Sequence, residues 1–217
     1  RQKEPIDDLM SDLVQSRIEA DPDHPDIGDD GKRSLSMAEM LSIVQQLLVA
    51  GNETTTKALT EGLRLLADHP DVFAKLREDP EGYAPKVTEE VLRLATPTQG
   101  MFRIVQKDTE IDGYPLPKGA RLVVVYSAAN RDPEIFDSPD DFDPEREGLM
   151  KQHLAFGKGI HFCLGAPLSR LEMNTVFEQI GRRISSITLA DDNDFRYFPS
   201  FMLRGLMKLD VSMTRSD

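Results

Sequence analysis

The feature that most constrains this chain is a single long helical pattern near its start. Ser36 and Glu39 form an S-x-x-E capping box, in which each side chain satisfies a backbone N–H at a helix start. Apolar residues then recur at helical spacing through Met40, Leu41, Val44, Leu47, Leu48, Leu59, Leu63 and Leu66, and the pattern stops at Asp68-His69-Pro70. At 1.5 Å per residue this is about 30 residues, or roughly 45 Å, long enough to cross a whole domain. A fold built on such an element is predicted to use it as a central strut.

Around that helix the reading is mainly α with small β-sheets. An amphipathic helix is predicted over Asp7 to Glu19, after a polar linker, Arg1-Gln2-Lys3-Glu4-Pro5, that does not resemble a natural amino terminus. Asp21 to Lys32, rich in Pro, Asp and Gly, has the composition of a surface loop. Shorter helices are predicted over Pro70 to Arg77 and Pro85 to Leu94, and a hairpin sheet over Arg103 to Val125, where β-branched runs flank Gly113-Tyr114-Pro115. Asn130 to Gln152 is irregular, since Pro133, Pro139 and Pro144 forbid regular helix, while Phe136 and Phe142 imply that it packs down. A last helix is predicted from about Leu164 to Ile184, followed by extended pieces ending at Met213.

Composition mainly excludes. With 26 Lys and Arg against 38 Asp and Glu, the net charge of -12 argues against nonspecific attraction to nucleic acid or to an anionic membrane. No apolar run approaches the roughly 18 residues of a membrane-spanning helix, and the expected location is cytoplasmic. One cysteine in 217 residues excludes an internal disulfide and a multi-cysteine zinc site. A buried thiol, a nucleophile and a single metal ligand remain open.

The neighbours of that cysteine favour the ligand. In Phe156-Gly157-Lys158-Gly159-Ile160-His161-Phe162-Cys163-Leu164-Gly165, Cys163 stands where the last helix begins. A helix amino terminus lowers a thiol pKa through its unpaired N–H groups and positive dipole end, favouring the metal-binding thiolate. Gly157 and Gly159 allow positive φ, and Gly165 leaves no side chain where a flat macrocycle must approach. Phe156 and Phe162 would keep water from the sulfur.

This loop resembles the F-x-x-G-x-x-x-C-x-G haem-ligand signature of the cytochromes P450, with His161 and Ala166-Pro167-Leu168-Ser169-Arg170 typical of bacterial members. Two further motifs match. Ala50-Gly51-Asn52-Glu53-Thr54-Thr55, midway along the long helix, resembles the family's oxygen-activation groove. Taken alone it would read as a solvated polar turn, although Gly51 costs about 1 kcal/mol against Ala inside a helix and so asks for a reason. Glu90-Val91-Leu92-Arg93 resembles the family's E-x-x-R, its i, i+3 spacing putting both charges on one helix face.

The resemblance implies a cytochrome P450 fold, of which residues 1–217 would be the carboxy-terminal portion of one domain. Its parts would be the long I-type helix, the E-x-x-R helix, the meander, the cysteine loop and the L-type helix, with the amino-terminal sheet and lid helices absent. It implies haem b (iron protoporphyrin IX), with Cys163 as the iron ligand and Ala50, Gly51, Phe156, Gly157 and Gly165 lining the cofactor. Arg103 and His161 would contact the propionates, with His153 assisting. Arg146 would complete a buried network with Glu90 and Arg93 that supports the loop. Thr54 and Glu53 would handle protons.

The implied activity is monooxygenation, inserting one oxygen atom of dioxygen into a small apolar organic substrate. Electrons would come from a ferredoxin-type donor with an NAD(P)H-dependent reductase, docking where Lys158 and Arg170 offer positive charge. A peroxide-driven haem-thiolate enzyme and a noncatalytic haem binder are the alternatives. Ile43 to Leu48, Thr96 to Met101 and Phe198 to Leu203 are expected to line the substrate pocket.

Overall fold

The computed structural model describes residues 4–20, 26 and 28–216. The chain divides into two compact units, residues 1–52 and 53–217. Residues 1–3 of the expected linker and much of the expected 21–32 loop lie outside the described residues.

In the first unit a short helix, α1 (Leu9–Gln15), is capped by Asp8, whose side chain accepts from the amide of Ser11. The predicted helix over Asp7 to Glu19 is therefore cut short. Ser16 turns into extended backbone, and β1 (Arg17–Glu19) pairs antiparallel with β2 (Lys32–Ser34), a long-range partner that local periodicity does not reveal. Helix α2 (Met37–Asp68) begins here and follows the predicted span closely. Its capping box is formed: the amide of Ser36 donates to Glu39 (2.8 Å) and the amide of Glu39 to the Ser36 hydroxyl (3.3 Å). Arg33 adds a two-pronged bond to the same carboxylate, 2.7 Å on each prong.

In the second unit the core lies where the later part of α2 meets three helices, α3 (Pro70–Glu78), α4 (Pro80–Ala95) and α7 (Ala166–Arg183). Ala58, Leu65 and Leu66 of α2 are buried there with Phe73, Leu76, Val87, Val91, Met173 and Phe177. Gly62 permits the approach: a Cβ at that position would stand 2.6 Å from the ring of Phe177 and 3.2 Å from Val91. Helix α4 starts five residues earlier than Pro85 predicts. Pro80 occupies its first turn and Asp79 caps it by accepting from the amide of Gly82 (3.0 Å). Pro85 is held inside the helix because the burial of Tyr83, Ala84, Val87 and Val91 outweighs one lost backbone bond.

The expected hairpin region holds two sheets. β3 (Gly100–Ile104) pairs with β6 (Arg121–Val125), and between them β4 (Thr109–Ile111) pairs with β5 (Tyr114–Leu116) through a two-residue turn. Asp112 and Gly113 carry φ of 48° and 77° in that turn, the conformation that matches strand twist. The short α5 (Tyr126–Ala129) and α6 (Leu149–Gln152) bracket an otherwise irregular segment in which Phe136 and Phe142 are buried, as predicted. After α7 the chain closes with β7 (Ile184–Leu189) paired to β8 (Val211–Arg215).

Candidate haem-thiolate site

The cysteine loop takes its shape from its glycines. Gly157 and Gly159 sit at φ of 69° and 75°, and a 3-10 turn spans Gly159–His161. The loop is closed by the amide of Cys163, which donates to the carbonyl of Phe156 (3.0 Å). Gly165 is the N-cap of α7, so Cys163 lies two residues ahead of the cap of a helix whose first amides lack intrahelical acceptors. The sulfur is exposed, and a Cβ at Gly165 would stand 3.9 Å from it. Ile160 (97% exposed) and Leu164 (88%) present apolar side chains beside it, and Phe162 is half exposed.

Such surroundings suit a flat apolar cofactor: one soft donor with exposed apolar side chains near it in the loop. Among the described residues no cluster of three or more His, Cys, Asp or Glu side chains could hold a metal by itself. The residues present therefore fit a metal gripped by a single sulfur and otherwise coordinated by the cofactor, as in a haem.

Behind the loop, α4 supplies an anchoring network. Glu90 and Arg93 are fully buried. Arg93 binds Glu90 with Nε and Nη2, both at 2.7 Å, and reaches the carbonyls of Asn130 (2.8 Å), Pro139 (2.6 Å) and Asp141 (3.0 Å). Arg146 Nε donates to Glu90 (3.2 Å), and its other nitrogens reach the carbonyls of Asp137, Ser138 and Asp141. Two arginines and one carboxylate thus fold an irregular proline-rich segment that has no regular hydrogen-bonding of its own.

Arg103 extends from β3 to within 3.5 Å of the Tyr126 hydroxyl, and that hydroxyl lies 3.5 Å from a Cβ position at Gly157. His161 is exposed in the 3-10 turn. Glu53 and Thr54 are half-buried neighbours on α2, and Glu53 pairs with Lys57 at 3.1 Å. Ala50 and Gly51 belong to the first unit and are exposed; a Cβ at Gly51 would meet nothing within 4 Å.

Two side chains are used differently from the sequence reading. His153 is buried, with Nε2 on Glu89 (2.7 Å) and Nδ1 accepting from the amide of Ala155 (3.2 Å), so neither ring nitrogen is left for a propionate. Arg170 is only 19% exposed and grips Glu89 through Nε (2.6 Å) and Nη2 (3.0 Å), which removes it from any surface for an electron donor. Lys158 is exposed.

Three contributors escaped the sequence reading. Tyr126 and Glu89 sit at unremarkable positions in apolar or charged runs. Asn130 is fully buried: its side-chain nitrogen donates to the Thr96 hydroxyl (2.9 Å) and its oxygen accepts from the amide of Leu154 (2.6 Å). It thereby ties the end of α4 to the strand of chain entering the cysteine loop. Thr96 needs that support, because it closes α4 at φ 37°, an unusual conformation for a β-branched residue.

The loop presents one exposed cysteine just ahead of a helix, an arrangement suited to a single-thiolate metal ligand. Comparison with known proteins gives the class its name: the family profile described as cytochrome P450 matches residues 1–192. The chain belongs to the cytochrome P450 family. It is 37% identical over 214 residues to 6-deoxyerythronolide B hydroxylase of Saccharopolyspora erythraea, covering 98% of this chain and 50% of that protein. The solved structure of cytochrome P450 CYP109Q5 from Chondromyces apiculatus superimposes with a TM-score of 0.86 at 37% identity, covering all of this chain and 52% of that one. The structure of CYP109E1 from Bacillus megaterium in complex with corticosterone gives 0.84 at 31% identity, covering 97% and 53%. The chain therefore spans about half the length of the relatives it matches. Among the described residues no helix is long and apolar enough to cross a membrane.

Proposed function

We propose that this chain provides the haem-thiolate portion of a monooxygenase that hydroxylates a small, largely apolar molecule. The observation that carries the reading is Cys163: an exposed sulfur just ahead of a helix amino terminus, with its amide fixed and apolar side chains around it. A bound haem b would supply the redox-active iron at which dioxygen is activated with two electrons delivered from outside.

The protein's own residues divide the remaining work. Cys163 would hold the iron through its sulfur, with its amide fixed on the Phe156 carbonyl, and Phe156 and Phe162 would flank the bound cofactor. Arg103 and His161 offer cationic or donor groups to haem carboxylates, with Tyr126 holding Arg103 toward the loop. Glu53 and Thr54 would pass and hold protons on α2, a carboxylate next to a hydroxyl on one helical turn.

Two of the three expected pocket segments run side by side. The amide of Gln99 donates to the carbonyl of Met202 (2.8 Å), that of Arg204 to Pro97 (2.8 Å), and the rings of Phe102 and Phe201 lie 6.2 Å apart. Their exposed apolar side chains support an apolar substrate, in keeping with the 6-deoxyerythronolide B and the corticosterone named for the relatives above. A ferredoxin-type donor would approach the exposed Lys158.

The test is the reduced carbon monoxide complex of the haem-loaded protein. Absorption in the thiolate-ligated position, lost in Cys163→Ser, supports the reading. An imidazole-type spectrum that survives Cys163→Ser refutes it.

A further inference from the structure

Helix α4 carries adjacent glutamates that bond in different directions. Glu90 faces Arg93, Arg146 and the amide of Asp143. Glu89 faces the other way, and its buried carboxylate takes three donors: Arg170 Nε (2.6 Å), Arg170 Nη2 (3.0 Å) and His153 Nε2 (2.7 Å).

Both partners of Glu89 lead to the same residue. Arg170 lays its guanidinium over the ring of Phe156, 4.7 Å from the centroid. That ring meets Phe162 edge-on at 6.3 Å, and the Phe156 carbonyl holds the amide of Cys163. His153 accepts from the amide of Ala155, the residue just before Phe156. Because Nδ1 accepts that proton, the hydrogen of the neutral ring stands on Nε2, pointing at Glu89. One carboxylate thereby fixes the side chain of Phe156 through Arg170 and the backbone just before it, at Ala155, through His153.

We infer that Glu89, Arg170 and His153 are positioning residues for Cys163: a second buried network, separate from that of Glu90, which holds the stretch from Ala155 to Cys163 in the shape that presents the sulfur. Its functional weight rests on the reading of Cys163 as the haem ligand. The Glu90 network secures the proline-rich segment; the Glu89 network secures the ligand loop itself. The geometry also explains why Arg170, one turn into α7, is stacked inward and not displayed.

Two measurements on the haem-loaded protein and its variants test this: amide hydrogen exchange resolved along the chain, and the share of the reduced carbon monoxide complex that is thiolate-ligated. Glu89→Gln keeps the side-chain shape but turns a donor toward Arg170. Arg170→Lys keeps the charge but loses the fork and the flat face over Phe156. Each is expected to speed exchange across residues 155–163 by about tenfold or more while the α3 and α4 core amides keep their rates, and to lower the thiolate-ligated share. Glu89→Gln with Arg170→Met removes both charges, and is expected to leave loop protection as low as in the single variants while the core amides again keep their rates.

Unchanged loop exchange and an unchanged thiolate-ligated share in Arg170→Lys, with the unsubstituted protein thiolate-ligated, overturn the proposal and leave the ligand reading standing. An imidazole-type complex in the unsubstituted protein overturns the ligand reading itself. Should Glu89→Gln not fold, Arg170→Lys decides.

Discussion

Replacing Arg93 with methionine removes a charge from the interior while keeping most of the aliphatic volume. The lost contacts are specific: two 2.7 Å bonds to Glu90 and bonds to the carbonyls of Asn130, Pro139 and Asp141. Glu90, with no solvent exposure, would keep only Arg146 Nε at 3.2 Å and the amide of Asp143 at 3.0 Å. Removing one partner of a buried ion pair typically destabilises by about 3–5 kcal/mol, because the other charge is left uncompensated. The Asp141 carbonyl lies at an exposed residue where water can replace the bond, whereas Asn130 is fully buried, so the upper part of that range is expected. Urea unfolding followed by circular dichroism measures the loss, with the slope unchanged if both states keep their compactness. Glu90→Gln and the double variant complete a cycle, in which a coupling of about 2 kcal/mol is expected. A loss below about 1 kcal/mol in Arg93→Met, or strict additivity, would refute the reasoning.

Further tests address packing, protons and pH. Gly62→Ala forces a Cβ to within 2.6 Å of Phe177 and should destabilise by about 1–3 kcal/mol, whereas Gly51→Ala, with open space, should gain up to about 1 kcal/mol; equal melting temperatures would contradict this. Thr54→Ala is expected to uncouple electron consumption from product formation in the complete enzyme, and full coupling counts against a proton-handling role. Burial alone would raise the Glu89 carboxyl, but hydrogen bonds and charge from His153 and Arg170 hold it below the usual carboxylate range. Its contribution is therefore present above the ordinary glutamate pKa of about 4.3 and is lost as pH falls through the lowered value. Glu89→Gln should flatten acid unfolding in that window; an unchanged acid limb would show that Glu89 is not a source of it.

The sequence alone determined whatever depends on residues close together in the chain. The capping box and apolar spacing bounded α2 to within a residue or two, because both are local helical signals. The Phe, Gly, Cys and Gly offsets placed the cysteine at a helix start, because a tight glycine turn ahead of a helix is written in consecutive residues. Only the tertiary structure decided which charges are used inside. Glu89 and Glu90 are identical neighbours in sequence, yet the packing of α7 and His153 against one side of α4 and of residues 137–146 against another sends one to Arg170 and His153 and the other to Arg93 and Arg146. Asn130, Tyr126 and the strand that shortened α1 were hidden for the same reason. Their partners lie far along the chain, and a buried polar group declares its role only once folding has brought those partners to it.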